Sequence, residues 1–190
     1  MVWAADSAAL ERGGRLVSNQ DGRISLLVRN TLFTLVVPGI GGVLVPIWLL
    51  RRSGADWTPE VWPAVAVIAA GAALYFACVW RFAGEGGGTP GPWDAPRRVV
   101  AAGPYRWVRN PIYISALLVV LGEAWLFLSS SVLVYAVGMA LFFHLFVVGH
   151  EEPRLRRAFG ETYLEYLRAV PRWIPRPPRR LRLSLSPPGE

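Results

Sequence analysis

The stretch Gly103-Pro104-Tyr105-Arg106-Trp107-Val108-Arg109-Asn110-Pro111-Ile112-Tyr113 decides how this chain is read. Eleven residues hold two Arg, two Pro, a Gly and three aromatic rings, Tyr105, Trp107 and Tyr113. A solvated loop has no need of that density. Asn110-Pro111 reads as a helix start, with Asn as N-cap and Pro at the first helical position. An apolar run, residues 112–128, follows at once, and after a second run comes another dense polar stretch, His150-Glu151-Glu152-Pro153. Two apolar helices joined by a tight turn would bring both stretches to the same membrane surface. There they are expected to hold a polar cofactor between them.

Composition supports a membrane setting. Of the 190 residues 53% are hydrophobic and 17% charged, against about 25% charged in soluble domains. One all-α integral membrane domain is the natural reading. The net charge is +7, and all 20 basic residues are Arg. They flank apolar runs, so lipid headgroups and topology account for them better than nucleic acid does. Cys78 is the only cysteine, which excludes an internal disulfide. Two His in all argue against a zinc site, and no metal is expected.

Outward from the opening stretch, four spans are expected. Residues 31–50 form the first, kinked by Pro38, Gly39, Gly41, Gly42 and Pro46 and ended by Arg51-Arg52. Residues 61–82 form the second, with a small-residue middle, Ala69 to Ala73, suited to close helix packing. Glycine and proline at 83–100 exclude a continuous helix there. Residues 112–128 and 131–148 form the third and fourth, an antiparallel hairpin turning at Ser129-Ser130. Residues 151–170 are amphipathic: Leu155, Phe159, Tyr163, Tyr166 and Val170 share one face, and Gly160 should break or bend the helix. Tyr163 and Tyr166 read as interfacial anchors. The expected organisation is an interfacial arm (1–25), which lacks the apolar core of a signal peptide, a membrane domain (26–175, its cofactor-binding part 88–175) and a basic Pro-rich tail (176–190).

The arginines set the topology. Four precede the first span, two lie between spans one and two, five between two and three, none in the 129–130 turn and nine after span four. With four spans, 18 of the 20 fall on one side. That side is cytoplasmic by the positive-inside rule. Both termini, the amphipathic helix and both polar stretches then face the cytoplasm.

Chemistry follows from residue types. The helix start at Asn110-Pro111 favours a carboxylate or phosphate, and Arg109 can add a two-pronged contact. Glu151 and Glu152 repel one another near an apolar boundary, so they require a cationic partner or a hydroxyl donor. A ligand with a carboxylate, an ammonium and a second positive centre satisfies both ends, and S-adenosylmethionine is such a ligand. The same residues also fit topology signals and solvated ion pairs.

The run 103–113, then the hairpin, then Glu151-Glu152, Leu155, Phe159-Gly160, Tyr163, Tyr166, Val170-Pro171 and Ile174-Pro175 resembles the isoprenylcysteine carboxyl methyltransferase family. Its broader group includes phospholipid methyltransferases, and the likeness covers about 88–175. The resemblance implies an integral-membrane methyltransferase of the cytoplasmic or inner membrane that uses S-adenosylmethionine. By position, Gly103, Pro104, Tyr105, Arg109, Asn110, Pro111 and Tyr113 would line the cofactor from one side. His150, Glu151 and Glu152 would close the other, with Glu151 also facing the reacting centre as the catalytic residue. The isoprenylcysteine enzymes carry His where this chain has Asn110, and an arginine where it has Val147-Val148. Asn110 is therefore given no acid–base role. The acceptor is expected to be lipidic or small and apolar, reaching the site from the bilayer, with a carboxylate, amine or thiol as nucleophile. A non-catalytic membrane scaffold of the same fold and a nicotinamide-dependent membrane reductase are the alternatives.

Two ionisable residues lie inside spans, Glu123 and His144. On the expected hairpin they differ in depth by roughly 12 Å at 1.5 Å per residue, too far to pair. Both read as structural.

Overall fold

A computed structural model describes residues 39–54, 56–81 and 101–178. The expected arm at 1–25, the beginning of the first span, the loop at 83–100 and the tail beyond 178 lie outside the described residues.

Those described are helical, with no strand among them. A π-helical turn, Ile40–Leu44, leads into α1, Val45–Ser53. Helix α2 is Val61–Arg81, α3 Pro111–Leu126 and α4 Ser130–Phe146. A second π-helical turn, Val147–Glu151, joins α4 to α5, Glu152–Ala169. Each π turn runs into a helical proline, Pro46 or Pro153. A proline inside a helix lacks the N–H for the carbonyl four residues back and clashes with it. A widened turn relieves that clash. Where a kink is expected near Pro46 the chain makes a π turn, and the same device stands before Pro153 beside the acidic pair.

Helices α2 and α3 make the most extensive contact among the described elements. Glycine permits it. A Cβ on Gly71 would lie 2.8 Å from the Ser115 carbonyl oxygen, and one on Gly122 would lie 2.6 Å from Ile68 Cγ1. The small-residue middle of the second span meets its partner through Gly71. Helices α3 and α4 close on Val120, Ala124, Val132 and Ala136, with Leu49 and Leu50 of α1 packed against them. Tyr135 donates to the Gly41 carbonyl across 2.9 Å, tying α4 to the first π turn.

The hairpin turn is as short as expected but begins earlier. Helix α3 ends at Leu126, and Leu128 takes a left-handed φ of 45°. Ser129 then caps α4, its hydroxyl accepting from the Val132 N–H. No turn residue signals this, because Leu rarely adopts that conformation.

Among the described residues two helical runs are long and apolar enough to cross a membrane: α2, and the run of α4, the second π turn and α5, Ser130–Ala169. In the latter the apolar part ends at Val148, and the charged part from His150 onward lies beyond the span. Much of their apolar surface faces outward, Phe76, Val134, Val137, Phe142 and Leu145 among it, as a lipid-facing surface would. Helix α3 has 16 residues, about 24 Å at 1.5 Å per residue, short of a full crossing. Of the expected first span only 39–50 is described. Two candidate crossing helices, rather than four, therefore stand among the described residues.

Gly160 breaks α5 as expected, with φ 51° and ψ −130°. Tyr163 and Tyr166 are not interfacial anchors. Both are buried with Val170, Leu155, Phe159 and Ala101, and the Tyr166 hydroxyl donates to the Tyr105 carbonyl at 2.8 Å. The break at Gly160 folds the second half of α5 against the opening stretch, which removes these rings from any lipid surface.

Candidate functional site

The opening stretch forms a 3-10 turn, Gly103–Arg106, and then the start of α3. Gly103 has φ +55°, and a Cβ there would lie 3.0 Å from Arg81 Nε. Both facts favour glycine. Pro104 starts the turn, with its carbonyl accepting from Trp107 and Val108. Tyr105 is buried against Cys78 and Leu74 of α2 and Ile112 of α3, with its hydroxyl hydrogen-bonded to the Cys78 thiol. Burial and these neighbours push its hydroxyl pKa well up. Tyr105 thereby fastens the stretch to α2 through its ring and to α5 through its carbonyl.

Asn110 occupies the N-cap position of α3, with Pro111, fully buried, following it. Its side chain makes no capping hydrogen bond, contrary to the expectation from sequence. Instead Nδ2 donates to the Arg172 carbonyl at 3.2 Å. The amide nitrogen is thus directed at a carbonyl 62 residues away in sequence, brought in by a chain reversal, and the side-chain oxygen is not used as a cap.

The two dense stretches do meet. Arg109 donates through an NH1 proton to Glu152 Oε1 at 2.8 Å, and the Tyr113 hydroxyl donates to Glu151 Oε2 at 2.9 Å. The π turn at Val147–Glu151 ends between the adjacent acids, which point about 100° apart as neighbours on a helix do. It inserts one residue into the helix and so rotates the downstream helix by about 100°, given 3.6 residues per turn. Glu151 faces Tyr113, and Glu152 faces Arg109. His150 is exposed and lies against Phe146, ring centroids 5.2 Å apart. The Tyr113 ring meets Phe143 at 4.7 Å.

The two carboxyls are pushed in opposite directions. Burial raises the Glu151 pKa above the ordinary value, and the Glu152 charge adds to this. The Tyr113 hydroxyl and His150 offset only part. At Glu152 burial also acts upward, but the Arg172 hydrogen bond and the charges of Arg109, Arg172 and Arg156 outweigh it and hold the carboxyl low. Adjacent acids in divergent environments are a common basis for a division of roles. Glu152 stays ionised as a structural anion. Glu151 keeps proton affinity, and its Oε1 has no protein partner among the described residues.

Arg172 is the residue that sequence reasoning missed. Its Nε and NH2 donate to Oε1 and Oε2 of Glu152 at 2.8 and 2.9 Å, a two-pronged ion pair. It stands between Pro171 and Pro175 of the family-like pattern, which is the only signal the sequence offers. Among nine arginines after span four nothing in its spacing marks it. Trp173 follows, its indole N–H donating to His144 Nδ1 at 3.1 Å. His144 thus has Trp173 as a hydrogen-bond partner. Glu123 has a buried Oε2 without a hydrogen-bond partner among the described residues, and no pairing with His144 is present there.

Apolar helices carrying two carboxylates, two guanidiniums and a phenol at the border of an apolar segment are those of a membrane-associated protein with a polar cluster beside its helical hairpin. The phospholipid methyltransferase family matches residues 60–162, more than half of the chain, and the chain belongs to that family. It is a membrane methyltransferase, of the group that includes the isoprenylcysteine carboxyl methyltransferases. No curated protein and no solved structure matches it significantly.

Proposed function

We propose that this membrane methyltransferase takes its methyl group from S-adenosylmethionine and gives it to a lipidic or small apolar acceptor that enters from the bilayer. The observation that carries this is the joining of the two stretches by Arg109–Glu152 and Tyr113–Glu151. Residues 38 or more apart in sequence form one polar site beside an apolar hairpin.

The residues fit the cofactor. Arg109 Nε is buried with no hydrogen-bond partner among the described residues, and a buried donor left unmatched is costly unless a ligand acceptor reaches it. A carboxylate supplies one. Among the described residues Glu151 is hydrogen-bonded through Oε2 alone, and its other oxygen suits a hydroxyl or a cation. Gly103, Pro104, Tyr105, Asn110, Pro111 and His150 shape the surround. The cofactor supplies an electrophilic methyl carried on a sulfonium. The protein positions two reactants and excludes water. Where the acceptor is an amine or thiol, its N–H or S–H proton passes to the Glu151 carboxylate, whose basicity burial increases. A carboxylate acceptor releases no proton and needs no base. With four spans the arginines crowd onto one side of the membrane, and on that count we assign the site and both termini to the cytoplasmic side.

Titration of the purified protein with S-adenosylhomocysteine tests the reading. Saturable binding to folded protein is expected, and its absence would leave a non-catalytic scaffold. Membranes incubated with methyl-labelled S-adenosylmethionine should yield a labelled product that partitions into organic solvent, whose identification names the acceptor.

A further inference from the structure

After α5 the chain reverses at Pro171 and runs back along the opening stretch. The Pro171 carbonyl accepts from the Arg109 N–H at 2.9 Å, and the Arg176 N–H donates to the Trp107 carbonyl at 3.0 Å. Asn110 holds the Arg172 carbonyl, and His144 holds the Trp173 indole. Residues 171–176 are therefore bonded to the opening stretch, to α4 and, through Arg172, to α5. A terminal segment that only covered apolar surface would need neither the side-chain bonds nor the ion pair.

Glu152 shows what the segment does. Its Oε1 is shared by Arg109 NH1 and Arg172 Nε, and its Oε2 is taken by Arg172 NH2, with Arg156 at 3.8 Å. Three hydrogen bonds from arginines thus engage both oxygens of Glu152 and fill Oε1. Because Arg172 takes two of these contacts, Arg109 receives one, made from NH1, and its Nε stays unclaimed. Without Arg172 the carboxylate is free to turn onto Arg109 side-on and take both Nε and a terminal nitrogen, the usual fork geometry of an Arg–carboxylate pair.

We infer that residues 171–176 form a strap over the site and that Arg172 is a positioning residue. By occupying Glu152 it keeps Arg109 Nε open to the anionic group of the ligand. The inference rests on the methyl-transfer reading for its ligand, and it reassigns Glu152 from cofactor contact to holding the two arginines.

Two measurements on the full-length protein in detergent test it. The first is amide hydrogen exchange without ligand. Arg172→Gln should speed exchange at Arg109 and Arg176, the donors of the two backbone hydrogen bonds between strap and opening stretch, while amides of α2 and α3 keep wild-type rates. Unchanged exchange at both positions overturns the strap. The second is S-adenosylhomocysteine affinity. Arg172→Gln should weaken it by about tenfold, the scale of losing a charge-assisted contact. Arg172→Lys should fall between, since an ammonium cannot make the two-pronged pair. In a Glu152→Gln background Arg172→Gln should add nothing, because Arg172 acts through Glu152. Wild-type protein that binds, with Arg172→Gln binding equally well or with additive effects, overturns the positioning role alone. Wild-type protein that does not bind overturns the methyl-transfer reading and the positioning role with it.

Discussion

The Tyr113 hydroxyl reaches Glu151 Oε2 across 2.9 Å, from the first turn of α3 to the end of the π turn after α4. It is the donor that partly offsets the burial raising the Glu151 pKa. Tyr113→Phe removes it and keeps the ring against Phe143. The Glu151 pKa should then rise further. If Glu151 accepts a proton during transfer, the acidic limb of the pH–rate profile should move to higher pH, with the alkaline limb in place. A profile that falls uniformly at all pH values would remove Glu151 from proton transfer.

The raised Glu151 carboxyl also predicts a stability effect of unusual sign. Its folded-state value lies above that of the unfolded chain, near 4.3 for a free Glu. Its contribution is therefore fully present below the unfolded value and declines as pH rises through the folded one. Glu151→Gln removes that decline while keeping an acceptor for Tyr113. The variant should melt with the wild type near pH 4 and above it at pH 8. A gap that does not grow with pH would contradict the burial argument.

Glu152 carries the opposite sign. Held low by its arginines, it contributes stability above the unfolded carboxylate value, and that is lost as pH falls through the folded one. Glu152→Ala leaves Arg109 and Arg172 without their anion, at side-chain exposures of 13% and 31%. The cost should be about 2–3 kcal/mol, below the range for wholly buried pairs because Arg172 remains open to water. Unfolding in mixed detergent–SDS micelles measures it. Glu152→Gln and Arg109→Ala should each weaken S-adenosylhomocysteine binding without separating α3 from α4. Unchanged affinity in both would remove the proposed pocket.

These contacts differ in how far the sequence foretold them. Helix α2, the α3–α4 hairpin and the break at Gly160 follow from apolar runs punctuated by Arg, Pro and Gly, signals that act locally. The meeting of Arg109 and Tyr113 with the acidic pair follows once the hairpin is granted, since it returns the chain to the same surface. Arg172 does not follow, because its place depends on a reversal at Pro171 that nothing in its own spacing announces. The burial of Tyr163 and Tyr166 was hidden for the same reason: helical periodicity gives a face but not what covers it. Leu128 shows a third limit, since its left-handed turn is imposed by the hairpin rather than by the residue. The π turns were within reach, because a proline inside an apolar helix requires some adjustment in the preceding turn.

The α2–α3 contact makes a prediction independent of the site. A Cβ at Gly122 would meet Ile68 Cγ1 at 2.6 Å, its N at 3.1 Å and the Ala64 carbonyl oxygen at 3.2 Å. The Ile68 side chain can shift, but the two backbone atoms can yield only if the helices separate. At Gly71 the nearest atom is itself backbone, the Ser115 carbonyl oxygen at 2.8 Å, with Leu118 Cβ and Val119 Cγ2 both at 3.0 Å. Gly71→Ala should therefore cost more than Gly122→Ala, at about 1–3 kcal/mol for forced overpacking. Helix propensity acts the other way, favouring Ala by about 1 kcal/mol, so Gly122→Ala should come out closer to neutral. Because α3 carries Tyr113 at its first turn, Gly71→Ala should also lower methyl transfer by displacing Tyr113 from Glu151. Melting temperature and transfer rate, measured together on both variants, check the ranking, and a Gly71→Ala protein as stable as wild type would show that the helices do not approach as closely as this.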